Sequence, residues 1–143
     1  MQYIMQYIGI DVGVHNGFAV WDKTAKRLIE LSTYKTWEVI MWLLVKKNDE
    51  IDFTVRIENP NTWVNYGTLT TKEVNGRKQG AGSVKRSYQV LIEFFEDNEI
   101  KYEALSLRSS LNKLKADKFK TITGIEVETN EHERDACMMV WGI

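Results

Sequence analysis

The chain has 143 residues, 43% apolar and 27% charged, so it is long enough for one core and too apolar for disorder. Nineteen Lys/Arg against 20 Asp/Glu leave a net charge of -1, which excludes a globally basic coat protein but not a locally basic face. The single Cys137 excludes a disulfide scaffold or a Cys-rich zinc module and suits a reducing, cytosolic compartment.

The opening Met1-Gln2-Tyr3-Ile4 is repeated at once as Met5-Gln6-Tyr7-Ile8, which reads as a duplicated start and not as a repeat architecture. No signal peptide is recognisable. Tyr7 to Gly13 predicts a first strand ending in Asp-x-Gly. Asn16-Gly17 predicts a tight turn, and Phe18 to Trp21 a second, antiparallel strand. A turn at Asp22-Lys23-Thr24 leads to a third strand, Arg27 to Tyr34, which completes a meander.

Thr36 to Lys47 predicts a helix with Thr36 as its N-cap. It contains the longest apolar run, Val39 to Val45, seven residues where a membrane span needs about 20. Phe53 to Ile57 alternates and reads as a strand. Thr62 to Gly82, with Gly67, Gly76, Gly80 and Gly82, reads as a long loop. Ser83 to Asn98 predicts a helix with Val84, Tyr88, Leu91 and Phe95 on one line. Its apolar arc, widened by Val90, Phe94 and Ile92, spans roughly 200°, more than one sheet face covers. The surplus predicts a homodimer through this helix. Tyr102 to Leu107 reads as a fifth strand and Asn112 to Lys120 as a short basic helix. Asn130 opens a last helix, with Glu133 as its capping-box partner. The order β-β-β-α-β-α-β-α-α predicts an α/β domain with a mixed five-stranded sheet flanked by helices.

Three places carry candidate chemistry. Asp11 lies on an otherwise apolar strand, where a carboxylate is costly unless paired or bound to metal; alone it is more simply a turn aspartate that stabilises the Val12-Gly13 bend. Glu58 ends the fourth strand on the face opposite Val55 and Ile57, where α/β sheets place ligand sites; alone it is equally an edge acid paired with Arg56 or a lysine. On the last helix the apolar stripe Ala136, Met139, Val140, Ile143 extends backward to Asp135 and His132, one turn apart. A lone histidine there is more simply a satisfied core residue, here bonded to Asp135, but a His and an Asp together at i, i+3 on a buried stripe are less easily dismissed, and Glu131 competes as a ligand. Together these donors suit Mg²⁺ or Mn²⁺, and two such ions about 4 Å apart can activate water and stabilise the leaving oxygen of a phosphodiester.

Charge is segregated. Residues 72–86 carry +4, residues 101–120 carry +4 and residues 126–135 carry -4. Basic flanks around an acidic centre suit a protein that grips phosphate and holds metal. The basic candidates for DNA contact are Arg77, Lys78, Lys85, Arg86, Lys113, Lys115 and Lys118. Trp63 and Tyr66 could stack on bases or wedge between them, or simply pack their loop.

Ile8-Gly9-Ile10-Asp11-Val12-Gly13 opening a hairpin, Glu58 ending the fourth strand and His132-Glu133-Arg134-Asp135-Ala136 on the last helix resemble RuvC-type Holliday-junction resolvases, in a compact viral or phage branch. The resemblance runs from Tyr7 to Trp141 and implies a ribonuclease H-like fold. It implies an endonuclease that nicks four-way or branched DNA symmetrically with two Mg²⁺ or Mn²⁺ ions. Asp11 would bridge both ions, Glu58 and Asp135 would each complete one site, and His132 would ligate or tune the second. It also implies a 5′-phosphate and a 3′-hydroxyl as products, and a place in the cytoplasm, the host's if phage-encoded. A nuclease acting on RNA, hybrids or flaps, or a non-catalytic dimer that binds branched DNA, is the alternative.

Overall fold

A computed structural model describes residues 4–49, 51–62, 71–106 and 114–143, with backbone alone for 62 and 71–81. Five strands form one mixed sheet: β1 (Met5–Asp11), β2 (Asn16–Asp22), β3 (Arg27–Tyr34), β4 (Asp52–Glu58) and β5 (Tyr102–Leu105). Four helices flank it: α1 (Thr36–Lys47), α2 (Thr71–Asp97), α3 (Ala116–Thr123) and α4 (Glu131–Met138). The strand order is β3-β2-β1-β4-β5. The meander pairs antiparallel, while β4 joins β1, and β5 joins β4, in parallel. Parallel pairing needs a crossover, and α1 and α2 supply the two that the sheet requires.

Strand alternation sorts side chains into two cores. Ile8, Ile10, Phe18, Val20, Val55 and Ile57 face α1 and α2, meeting Val39, Leu43, Leu91 and Phe95. On the other face, Ala19 and Trp21 meet Phe119 of α3 and Ala136, Cys137 and Val140 of α4. One arginine ties α4 to the sheet, and another ties it to the segment that precedes it. Arg56 Nη1 donates to the Met139 carbonyl at 2.8 Å, and Arg134 Nη1 to the Thr129 carbonyl at 2.7 Å. Arg56 Nε also stands 3.1 Å from Glu103, an ion pair without the alignment of a hydrogen bond. Among the described residues no helix is long and apolar enough to cross a membrane.

Several sequence expectations need correction. Asn16-Gly17 is not the turn. The bend lies at Gly13 to His15, and Asn16 opens β2. The fully buried Asn16 acts as a junction: its Oδ1 accepts from Gly13 N at 3.1 Å and its Nδ2 donates to the Tyr34 carbonyl at 3.1 Å. Thr36 is the first residue of α1 and not its N-cap, which is Lys35. The Thr36 hydroxyl accepts from Asn16 Nδ2 at 3.2 Å, while Glu38 accepts from Lys35 N at 3.0 Å.

The proposed loop of residues 62–82 is helical from Thr71 onward, and residues 63–70 lie outside the described residues. Each interior glycine costs a helix about 1 kcal/mol. With the only proline at Pro60, no residue of the prohibitive kind stops the helix. The short basic helix runs over Ala116–Thr123 instead of starting at Asn112, ending at Gly124 with φ 72°, the left-handed cap that glycine favours. Asn112 and Leu107 lie outside the described residues, but the fifth strand already ends at Leu105, before Ser106. The last helix starts as expected. Asn130 accepts from Glu133 N at 2.8 Å and Glu133 accepts from Asn130 N at 3.0 Å.

The wide apolar arc of α2 is largely covered: Val84, Ile92 and Phe94 pack against the core. The large exposed apolar side chains of the described helices lie elsewhere, most of them on α1.

Candidate active site

Asp11 and Glu58 end two neighbouring parallel strands. Ile10 pairs with Ile57, so the next residues, Asp11 and Glu58, emerge side by side. Alternation sends both toward α4, because Ile10 and Ile57 face the opposite core. Parallel strands deliver their carboxyl ends to one edge, and this edge receives both acids.

α4 supplies the other two groups, and two glycines set its distance from the sheet. A Cβ on Gly9 would overlap the Ala136 carbonyl oxygen, and a Cβ on Gly17 would overlap the His132 carbonyl oxygen. Gly17 is the cross-strand partner of Asp11. The backbone of His132 therefore rests directly beside Asp11 on the sheet. The first turn of α4 is also tied to β3: Asn130 Nδ2 donates to Thr33 Oγ1 at 2.8 Å, and Thr33 Oγ1 donates to Glu133 Oε2 at 3.1 Å. Thr33 is in turn the cross-strand partner of Gly17.

This docking places His132 Nδ1 2.8 Å from Asp11 Oδ2. The His132 side chain is 52% exposed, against 11% for that of Asp11. His132 is thus half-exposed and not enclosed in the core, and its ring meets Asp11. Asp135, one helical turn further on, and Glu58 lie close enough to act on Asp11 electrostatically. The Asp11 carboxyl is pushed up to about 6, first by burial, then by the negative charges of Asp135 and Glu58, against the opposing His132 hydrogen bond.

Desolvation combined with specific charge partners makes Asp11 a candidate functional acid. Three carboxylates and an imidazole are the donor set of a hard or borderline divalent cation. Among the described residues no three such groups are already gathered at coordination distance. The set fits a cation on charge grounds: a positive ion would relieve the repulsion that raises the Asp11 carboxyl. Glu131 lies exposed beside His132 on the first turn of α4.

Arg56, the other candidate partner of Glu58, stands beside Glu103, its register neighbour on β5. Cys137 is buried and its thiol is pushed up to about 12 by desolvation, so it is an inert core residue.

The basic candidates are dispersed. Lys115 and Lys118 are exposed at and on α3, which packs through Phe119 on the same sheet face as α4. Lys85 is half-buried and Arg86 exposed on α2, with Arg86 Nη1 3.5 Å from Gln89. Arg77 and Lys78 fall in the part of α2 whose side chains are outside the description, and Trp63, Tyr66 and Lys113 lie outside the described residues. Sequence reasoning missed Gly9, Gly17 and Asn16. Glycines at alternate positions beside an acidic strand end are the signal that could have found the first two.

No protein-family model matches the chain, and no curated protein matches it.

Proposed function

We propose that the chain is a divalent-metal-dependent endonuclease of the ribonuclease H-like, RuvC-type class, acting on four-way or otherwise branched DNA. The observation that carries the reading is the convergence of Asp11, Glu58, His132 and Asp135 from two strand ends and one helix, with His132 2.8 Å from Asp11. The residues that carry the family resemblance are thus neighbours, although they stand far apart in the chain.

Two Mg²⁺ or Mn²⁺ ions, when bound, would lower the pKa of the attacking water and offset charge on the leaving oxygen. The chain's own groups do the rest. Asp11, the most buried of the four, sits centrally and would be shared between both positions. Glu58 on the strand side and Asp135 on the helix side would each complete one of them. His132 offers a neutral nitrogen at the open rim. Water adds to phosphorus in line, the bond from phosphorus to the 3′-oxygen breaks, and that oxygen takes a proton. The products are a 5′-phosphate and a 3′-hydroxyl. Lys115 and Lys118, on the α4 side of the sheet, would hold flanking phosphates.

The test is a cleavage panel of labelled four-way, three-way, flap, duplex and RNA–DNA hybrid substrates in Mg²⁺ and in Mn²⁺. The reading expects paired nicks in the four-way junction and little in linear duplex. Preferential cleavage of hybrids or flaps moves the enzyme to another ribonuclease H-like substrate class. Junction binding without cleavage of any substrate makes it a non-catalytic binder.

A further inference from the structure

Three carbonyls of α4 meet the sheet, each on a different strand. The His132 oxygen lies over Gly17 of β2 and the Ala136 oxygen over Gly9 of β1, in both cases where a Cβ would stand. The Met139 oxygen, at the C-cap, accepts from Arg56 Nη1 of β4 at 2.8 Å. Steps of four and then three residues keep the three on one side of a helix. α4 therefore crosses the strands obliquely, from β2 at its first turn to β4 at its end. The first two supports are backbone against backbone. The third is a side chain.

Arg56 is the register neighbour of Gly9 on β1 and of Glu103 on β5. It points to the α4 face, as Glu58 does, because Val55 and Ile57 face the opposite core. Glu58 lies two residues further along β4, about 7 Å away. Asp135 lies one turn of α4 before Met139, about 6 Å along the axis. One guanidinium thus joins the strand that carries Glu58 to the helix that carries Asp135, a single step from each. A carbonyl at a helix C-terminus lacks a backbone partner and sits at the negative end of the dipole, so a cation is the favoured donor there. Glu103, 3.1 Å from Arg56 Nε, holds the guanidinium from β5. The planar fork of an arginine engages both partners at once, which a lysine ammonium does less well.

We propose that Arg56 is a positioning residue of the acidic site: by tying the end of α4 to β4 it sets the separation of Asp135 from Glu58, and with it the affinity for a divalent cation. This rests on the reading of Asp11, Glu58, His132 and Asp135 as a cation site. The first turn of α4 is held separately, by Thr33 and by the contact over Gly17. Without the Arg56 bond the helix can turn about that end, which moves Asp135 from Glu58 more than it moves His132 from Asp11. Residues that hold ligands in place are worth about 10- to 100-fold in metal affinity.

The experiment is calorimetric titration of the full chain with Mn²⁺ alone, without DNA, alongside urea unfolding. The parent should bind Mn²⁺ and Asp11→Asn should not, which places the binding at the site. Arg56→Met keeps the apolar stem but no donor, and should bind at least about 10-fold more weakly. Arg56→Lys keeps one donor for the Met139 carbonyl and should recover most of the affinity. Glu103→Gln should change little, because the Glu103 side chain is 52% exposed. Val39→Ala, in the core on the other face of the sheet, should lose stability but bind as the parent does. Should Arg56→Met not fold, Arg56→Gln, too short to reach both partners, carries the same expectation. Parental affinity in the folded Arg56 variants overturns the proposal and leaves the cation site standing. So does an equal loss of affinity in Val39→Ala, which would make the effect one of stability alone. A parent that binds no Mn²⁺ overturns the cation site itself, and this proposal with it.

Discussion

The carbonyl oxygen of His132 lies over Gly17 so closely that a single methyl group on Gly17 would overlap it. Gly17 faces Asp11 across the β1–β2 ladder, so the space that would hold a side chain instead lets the helix bring His132 to Asp11. The obstruction is backbone, and no rotamer change relieves it.

Gly17→Ala should therefore push the first turn of α4 off the sheet. The expected loss is about 1–3 kcal/mol of stability, the usual cost of overpacking. A displacement near 1 Å at a catalytic centre should also lower cleavage about 100-fold. Gly82→Ala is the control. A Cβ there meets nothing within 4 Å, so it should stabilise α2 by up to about 1 kcal/mol and leave cleavage unchanged. Urea unfolding and single-turnover cleavage of both variants check this.

The raised Asp11 carboxyl makes a stability prediction of definite sign. Its folded pKa of about 6 exceeds the unfolded value of 3.8. Between those values the folded chain keeps the proton that the unfolded chain releases. Stability should fall as pH rises through this window, by about 3 kcal/mol at most, and stay low above it. Asp11→Asn should remove that fall. In metal-free buffer at pH 7.5 it should melt at a higher temperature than the parent while cleaving nothing, a conflict between stability and activity expected of active sites. Melting curves of both proteins from pH 4 to pH 7.5, taken as a difference, test it. An equal slope in the two proteins would contradict the assignment.

On the proposed reading, Glu58→Gln and Asp135→Asn should each lower cleavage at least about 100-fold while junction binding persists, since the phosphate contact it assigns to the basic elements would remain. Glu131→Gln should cleave almost normally. Parallel rate and gel-shift measurements on the three variants decide it. Activity in Asp135→Asn with loss in Glu131→Gln would exchange their roles.

His132 is the group that distinguishes this site from an all-carboxylate one. Imidazole suits Mn²⁺ better than Mg²⁺, and it must be neutral to ligate. Mn²⁺ should therefore support faster cleavage at neutral pH, and His132→Asp should narrow the difference and move the acid limb of the pH–rate profile downward. An unchanged Mn²⁺/Mg²⁺ ratio with a lowered melting temperature would make His132 a docking residue for α4 alone.

Much of this fold is legible in the residues. The limits of β3 and α1 follow from pattern, and the Asn130–Glu133 box marks the start of α4 to the residue. Asp11, Glu58 and Asp135 are recognisable because each places a carboxylate where an apolar pattern predicts burial. Local rules fail where a distant element decides. Asn16-Gly17 has the chemistry of a turn, but Gly17 is spent on the approach of α4, and Asn16 on bonds to Gly13 and Tyr34. The N-terminal turns of α2 hide behind glycines. The exposure of Trp37, Met41 and Val45 on α1 is not legible either, because spacing reveals which residues share a face and not whether anything lies against it. The stripe spacing places His132 on the buried side, yet at the first turn of α4 its ring is half-exposed and meets Asp11.

The central claim is that Asp11, Glu58, His132 and Asp135 form one metal-dependent site that cuts branched DNA. The most direct measurement is the nicking of a labelled four-way junction in Mn²⁺ by the parent protein and by Asp11→Asn at equal junction occupancy. The account predicts paired nicks with 5′-phosphate ends from the parent, abolished by chelation, and none from Asp11→Asn. Equal cleavage by the two proteins, or nicking that persists in chelator, would contradict it.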